Sequence, residues 1–450
     1  MIFAQQPYLE DFEWFSDRWW TLWLGGDVLF LIVFVVLVFA MLLVSVMLMV
    51  WFERKVVSDM QHRIGPNVAG PWGIMQTLAD GIKLFFKEDI TPDGADKPVF
   101  KLAPYLSLVP AFLMFATVPI AGDFANRGGE VTLFGNTFLF QLVDPQMGIL
   151  LFLAMSGLGI YGVMLAGWAS GSKYPLLGSV RASAQMVSYE AALGLSLAAV
   201  FLFSGSLSTN EIVQSQTDGI LGIGGWNVFR TGVVPFVIFL IAGTAELNRP
   251  PFDLVEAEQE LVGGFHTEYS SLRFSLFFLA EFMNVVTMSA IIVTLFFGGP
   301  HVPSFLIFTE TGGWAWGLMW FFLKVLVFLF TFVWFRATLP RLRYDQLMDL
   351  GWKLLIPLAL GWFIVLAVLR VGRNEDWNWF IAAPLTALGF LAGAGLLMAA
   401  IRNARQARLE SGLWSLADGI FGGIRSHVRQ AFRRTADRRI QSKGRRRKAR

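Results

Sequence analysis

Cysteine is absent from this 450-residue chain. Without thiolates the chain cannot hold an iron–sulfur cluster, attach a c-type haem or close a disulfide, so any redox centre it serves must sit on a partner. Charge is also scarce, at 15% of residues against 55% hydrophobic, and the mean hydropathy is +0.57. That balance excludes a water-soluble globule of this size. Histidine occurs four times, as His62, His266, His301 and His427, and none is spaced as a ligand pair, so no metal site is expected. A Gly-rich nucleotide fingerprint is missing too, which argues against dinucleotide binding on this chain. The N-terminus carries Glu10, Asp11, Glu13 and Asp17 against Arg18 alone, the reverse of a cleaved secretory signal.

What the sequence has in abundance is apolar runs of about 20 residues, the length a helix needs to cross a bilayer. They predict an all-α integral membrane protein with about nine spans, over 27–52, 101–121, 146–168, 184–204, 228–247, 272–298, 314–335, 353–370 and 377–401. Internal prolines such as Pro110 and Pro235 are tolerable there, because neighbouring helices satisfy the freed carbonyls. The glycines at 157, 159 and 162 favour close helix packing.

Orientation follows from the basic residues. The segment 53–100 holds Arg54, Lys55, Arg63, Lys83, Lys87 and Lys97, whereas 122–145 holds only Arg127 and the loops 205–227 and 299–313 hold neither Lys nor Arg. The positive-inside rule therefore places the first segment in the cytoplasm and the N-terminal segment 1–26 outside. Nine spans bring the C-terminus inside, where residues 402–450 carry 15 basic residues against three acidic ones. Such a tail suits anionic lipid or an acidic partner surface rather than nucleic acid.

Between Pro71 and Lys87 the periodicity changes. Met75, Leu78, Ile82, Phe85 and Phe86 fall on one side and Gln76, Asp80, Lys83 and Lys87 on the other, which predicts an amphipathic helix lying in the cytoplasmic interface.

Acidic residues occur where lipid would penalise them. Glu190 and Glu281 sit inside apolar runs and Glu246 ends another. The following loop adds Asp253, Glu256, Glu258, Glu260 and Glu268 against a single arginine. Intramembrane carboxylates must face protein or water. Crowding and desolvation favour their protonated forms, so such a cluster can hold and pass protons with coupled titrations. The plainer reading is a solvated acidic loop, with the two buried glutamates satisfied by Tyr189, Ser188 or Asn284.

Four blocks in order, WFERKVVSDMQHRIGPNVAGPWGIMQTLADGIKLFFKED, GWASGSKYPLLGSVRASAQMVSYE, AELNRPPFDLVEAEQELVGGFHTEYSSLRFSLFFLAEF and WFRATLPRLRYDQLMDLGWK, closely resemble the H subunit of NADH-quinone oxidoreductase, the bacterial counterpart of mitochondrial NADH dehydrogenase subunit one. The resemblance covers about 28 to 370. It implies an eight-span domain over 27–370 in the bacterial plasma membrane, at the heel of respiratory complex I where the peripheral and membrane arms meet. It also implies a share in the quinone chamber, with FMN and iron–sulfur clusters on partner subunits and no catalytic residue on this chain. Charged chamber positions in that family fall on Arg54, Arg63, Asp80 and Lys83, and on Arg336. The family's proton path falls on Glu190, Glu246, Asp253, Glu256, Glu258, Glu260, Glu268 and Glu281. Two departures stand out. Leu247 replaces a threonine common in relatives, and the ninth span over 371–401 with its basic tail extends beyond the pattern. Two rivals accompany this reading: the related membrane subunit of an energy-converting hydrogenase or other-donor dehydrogenase, and a stand-alone ion transporter, for which the internal repeat is missing.

Overall fold

The computed structural model describes residues 26–122, 124, 128–133, 136–217, 224–253, 261–302 and 309–374. The expected ninth span, the basic tail, nearly all of the N-terminal segment 1–26, and Glu256, Glu258 and Glu260 lie outside the described residues. Within them the chain is an all-α multi-pass membrane protein. Seven helices are long and apolar enough to cross a bilayer, and an eighth apolar helix is shorter.

The first helix, α1, runs Gly26–Met60, well past the apolar run, so that Glu53 and Arg54 are helical rather than in a loop. A single turn at Pro71–Gly73 leads to α2, Gln76–Phe85. Next come α3, Lys97–Ala116, and a small antiparallel hairpin of β1, Glu130–Leu133, and β2, Asn136–Leu139, in which Val131 pairs with Phe138. Helices α4, Gly148–Ala169, and α5, Lys173–Ser204, follow, with α5 starting 11 residues before its predicted span over 184–204.

The apolar run over 228–247 does not make one full-length helix. It divides into α7, Asn227–Arg230, and α8, Val233–Glu246, the short α6, Thr209–Ser215, having come before. Gly232, at φ 81°, breaks the run and Pro235 sits in the first turn of α8, where its missing N–H costs nothing. At 14 residues α8 rises about 21 Å, less than the roughly 30 Å of hydrocarbon. Trp362 Nε1 donates to Thr231 O beside the break at 2.9 Å, and polar side chains tie the start of α7 to residues 294–298. Gln216 donates to Thr294 O at 2.9 Å and accepts from Asn227 N and Gly298 N, while Asn227 donates to Leu295 O at 2.8 Å.

The remaining helices are α9, Ser271–Phe296, α10, Thr309–Thr338, α11, Tyr344–Asp349, and, after a π-helical turn at Leu350–Leu355, α12, Ile356–Asn374. The most buried of them is α9, whose residues from Phe282 to Phe296 are almost all enclosed, placing it at the centre of the bundle. It packs on α1, α3, α8 and α10, and the apolar core runs continuously between them. Tyr189 of α5, fully buried, donates to Leu347 O of α11 at 2.8 Å and so closes the bundle on its far side.

Helix α2 packs with its polar side inward. Thr77 Oγ1 donates to Met47 O, Gln76 to Asp80, and Asp80 pairs with Arg54 of α1, whereas Met75, Leu78, Ile82, Phe85 and Phe86 are all exposed, Phe86 to 81%. A water-soluble protein would bury that apolar row. Its outward direction is the arrangement an interfacial membrane helix requires.

Candidate functional site

Two cavities organise the charged residues. The larger, about 460 Å³, opens beside the C-terminal half of α1 and is lined by Glu53, Arg54, Val57, Arg63, Ile64, Gly65, Pro66 and Arg336. Three of the five expected chamber residues therefore meet at one space. Asp80 joins them through Arg54, 2.6 Å away. Lys83, on the same helix, is exposed and does not reach the cavity.

Glu53 is the centre of this site, although the sequence pattern alone gave it no role. Its carboxylate is buried between two guanidiniums, with Arg249 at 3.1 Å and Arg336 in direct contact. Burying a carboxylate is tolerable only where cationic partners reach it, and here two do. Its signal in the sequence was an acid directly after an apolar run, which is easily taken for the start of a loop.

The second cavity, about 80 Å³, lies deeper and is lined by Ser156, Glu246, His266, Glu281, Asn284 and Thr287 among apolar neighbours. A water needs about 10–15 Å³ measured in this way, so several fit. Glu246 ends α8 and is buried. Ser156 of α4 donates to its Oε1, while its Oε2, Asn284 Oδ1 and Thr287 Oγ1 have no hydrogen-bond partner among the described residues. Buried polar atoms in this position ordinarily bind water. Glu190 of α5 is near enough to repel Glu246 electrostatically, and room for it is made by Gly157 of α4, where a Cβ would stand 3.3 Å from Glu190 Oε1.

The turn after α8 carries Arg249, and Gln185 of α5 fixes that turn by donating to Ala245 O at 2.7 Å and Phe252 O at 2.9 Å. Arg249 Nε reaches Glu281 Oε1 at 3.0 Å, an ion pair without the alignment of a hydrogen bond, and its head lies over the Phe282 ring. Arg249 thus touches Glu53 of the larger cavity and Glu281 of the smaller one. In the sequence it is only the single arginine of an acidic loop.

The chain matches, over residues 32–367, a family model described as NADH dehydrogenase. Over 391 residues it is 50% identical to the NADH-quinone oxidoreductase H subunit of Frankia alni, covering 85% of this chain and 80% of that relative. Over 378 residues it is 47% identical to the H subunit of the same enzyme in Streptomyces avermitilis, covering 83% and 79%. The chain belongs to this NADH-quinone oxidoreductase family of membrane subunits. The family match ends before the ninth apolar run begins.

In this member of the family the remaining expected carboxylates separate. Asp253 is buried and pairs with Arg341 at 3.2 Å, close to the Arg249 turn. Glu268 is half-buried in the turn ahead of α9 and forms no salt bridge among the described residues. Tyr189 and Ser188 do not serve Glu190, since the first donates to Leu347 O and the second to Ala184 O. His266, at the mouth of the smaller cavity and outside the spans, is pushed by burial down to about 4, with Asp253 pulling weakly the other way. Lys324, inside α10, is a further missed residue. An ionisable side chain within an apolar run was signal enough.

Proposed function

We propose that this chain acts in NADH-quinone oxidoreductase, respiratory complex I, as the membrane subunit that forms part of the quinone chamber and couples quinone reduction to proton movement. The larger cavity, with Arg54, Arg63, Arg336 and Glu53, receives the quinone end, and the outward apolar row of α2 meets lipid and the isoprenoid tail. FMN and iron–sulfur clusters on partner subunits of the peripheral arm bring the electrons, and NADH is oxidised there. The basic loops face the cytoplasm of the bacterial plasma membrane and the N-terminus lies outside.

The observation that carries this reading is the double engagement of Arg249 with Glu53 and Glu281. Quinone reduction consumes protons and changes the charge beside Glu53. Whatever Glu53 gains or loses alters how firmly Arg249 holds Glu281, and so the proton affinity of the carboxylates around the smaller cavity. Waters there can carry protons among Glu281, Glu246 and Glu190 toward the membrane-arm partners, with Asp253, Glu256, Glu258, Glu260 and Glu268 as the supply on the cytoplasmic side. Glu190→Gln and Glu281→Gln, assayed in membranes, test it. Quinone reductase activity and proton pumping should fall together while NADH oxidation by an artificial acceptor persists. Normal pumping and turnover in both variants would make these acids structural.

A further inference from the structure

Lys324 is a buried cation that the chamber and the proton path leave unused. Its ammonium donates to Phe297 O at 2.8 Å, Gly299 O at 2.8 Å and His301 O at 3.1 Å, and the Trp226 ring lies 5.0 Å away. Those carbonyls belong to the end of α9 and the turn that follows it, the negative pole of the helix that carries Glu281. Three donors meet three acceptors, so the ammonium is saturated.

The same helix, α10, presents Arg336 to Glu53. Lys324 and Arg336 are twelve residues apart, about 18 Å along the axis. Between them α10 offers the bundle and its surroundings only apolar and aromatic side chains and Thr331. In a bilayer such surfaces have no hydrophobic drive to prefer one axial position over another. A polar contact inside an apolar seam fixes register where apolar packing does not.

We propose that Lys324 is a positioning residue, setting the axial register of α10 against the end of α9 so that Arg336 arrives at Glu53. Lys324→Met keeps an unbranched side chain one atom shorter, removes all three donors and leaves three carbonyls without the ammonium in a low dielectric. This inference rests on the chamber reading for its kinetic consequence but not for its geometry, and the test separates the two.

The direct measurement is a cryo-EM map of the assembled complex carrying Lys324→Met. The expected result is displacement of α10 by about 1.5 Å or more, the rise of one residue, with the Arg336 guanidinium moved off Glu53. Lys324→Arg keeps a cation at the helix end on a longer, planar head, and it serves if the first variant does not assemble. An unmoved Arg336–Glu53 contact in the variant that assembles overturns the proposal, whatever the activity.

The kinetic measurement is a double-substitution cycle on kcat and KM for quinone. Sites about 18 Å apart with no shared partner normally have independent effects, so their fold-changes multiply. If Lys324 acts through Arg336, Lys324→Met with Arg336→Ala should match Arg336→Ala alone to within about twofold. Multiplying fold-changes, or a Lys324→Met complex that turns over normally while Arg336→Ala does not, overturn it. Unchanged quinone kinetics in Arg336→Ala would count against the chamber reading instead, and the map would still decide the register.

Discussion

Arg249 Nε lies 3.0 Å from Glu281 Oε1 inside the bundle, with the guanidinium itself buried and the carboxylate on the wall of the smaller cavity. Because the same guanidinium also reaches Glu53, removing it leaves Glu53 with Arg336 alone and takes from Glu281 its ion-pair partner. Breaking one buried pair from one side typically costs about 3–5 kcal/mol. Arg249→Leu should therefore reduce the yield of assembled complex sharply. Arg249→Lys keeps the charge on a compact head that cannot span both carboxylates. Its complex should assemble and lose a large part of its coupled turnover. Native-gel yield and quinone reductase activity per complex check both, and a fully active Arg249→Leu complex would refute the bridge.

Glu281 and Glu190 differ in what their replacement leaves behind. Glu281→Gln deprives Arg249 of a counter-charge, whereas Glu190, half-buried beside Gly157, forms no salt bridge among the described residues. The thermal midpoint of the purified complex should drop measurably more for Glu281→Gln than for Glu190→Gln, while both lower proton pumping. Equal midpoints would mean that the ion pair contributes little to stability.

The Arg54–Asp80 pair is half-exposed, with side chains 42% and 30% accessible, so its loss should cost stability no more than about 1 kcal/mol. Its position is what matters, since it fixes α2 to the rim of the larger cavity. Asp80→Leu or Arg54→Ala should leave assembly near normal while weakening turnover with short-chain quinones and shifting inhibitor sensitivity. Titrations with a short-chain quinone and a chamber inhibitor decide it. Unaltered apparent quinone affinity in both variants would reduce α2 to an anchor.

Much of this architecture was readable from composition. Runs of about 20 apolar residues mark the spans because hydrocarbon thickness fixes their length, and α2 followed from a two-sided periodicity that suits an interfacial helix. The fifth span misled because hydropathy does not register Gly232, which breaks the helix, nor Trp362, which donates to the carbonyl of Thr231 beside the break. Glu246, Glu190 and Glu281 were visible as acids in apolar sequence. Their partners were not, since Ser156 lies 90 residues from Glu246 and Arg249 lies 196 from Glu53. Glu53 and Arg249 look like span-end charges in one dimension, and only the packing of α1 against the turn after α8 makes them a buried pair.

His266 gives the structure a pH signature that the carboxylates do not share. Burial holds its imidazole down to about 4, against an ordinary value of 6.5, so the folded chain keeps it neutral where an unfolded chain would protonate it. Between pH 6.5 and 4 the unfolded state binds the extra proton, so stability rises with pH across that window. Its contribution is complete above the upper value and is lost as pH falls toward the lower one. The size is about 3 kcal/mol, and the nearby charge of Asp253, itself held by Arg341, raises the lower end of that window. Replacing the ring with a neutral amide, His266→Gln, should flatten the fall in thermal midpoint of the purified complex between neutral and mildly acidic buffer. Coupled activity should change little near neutrality, because the histidine is uncharged there in the parent protein. If His266→Gln and the parent lose stability in parallel as the buffer is acidified, the proton is taken up elsewhere and the buried imidazole is not the acid-sensitive group.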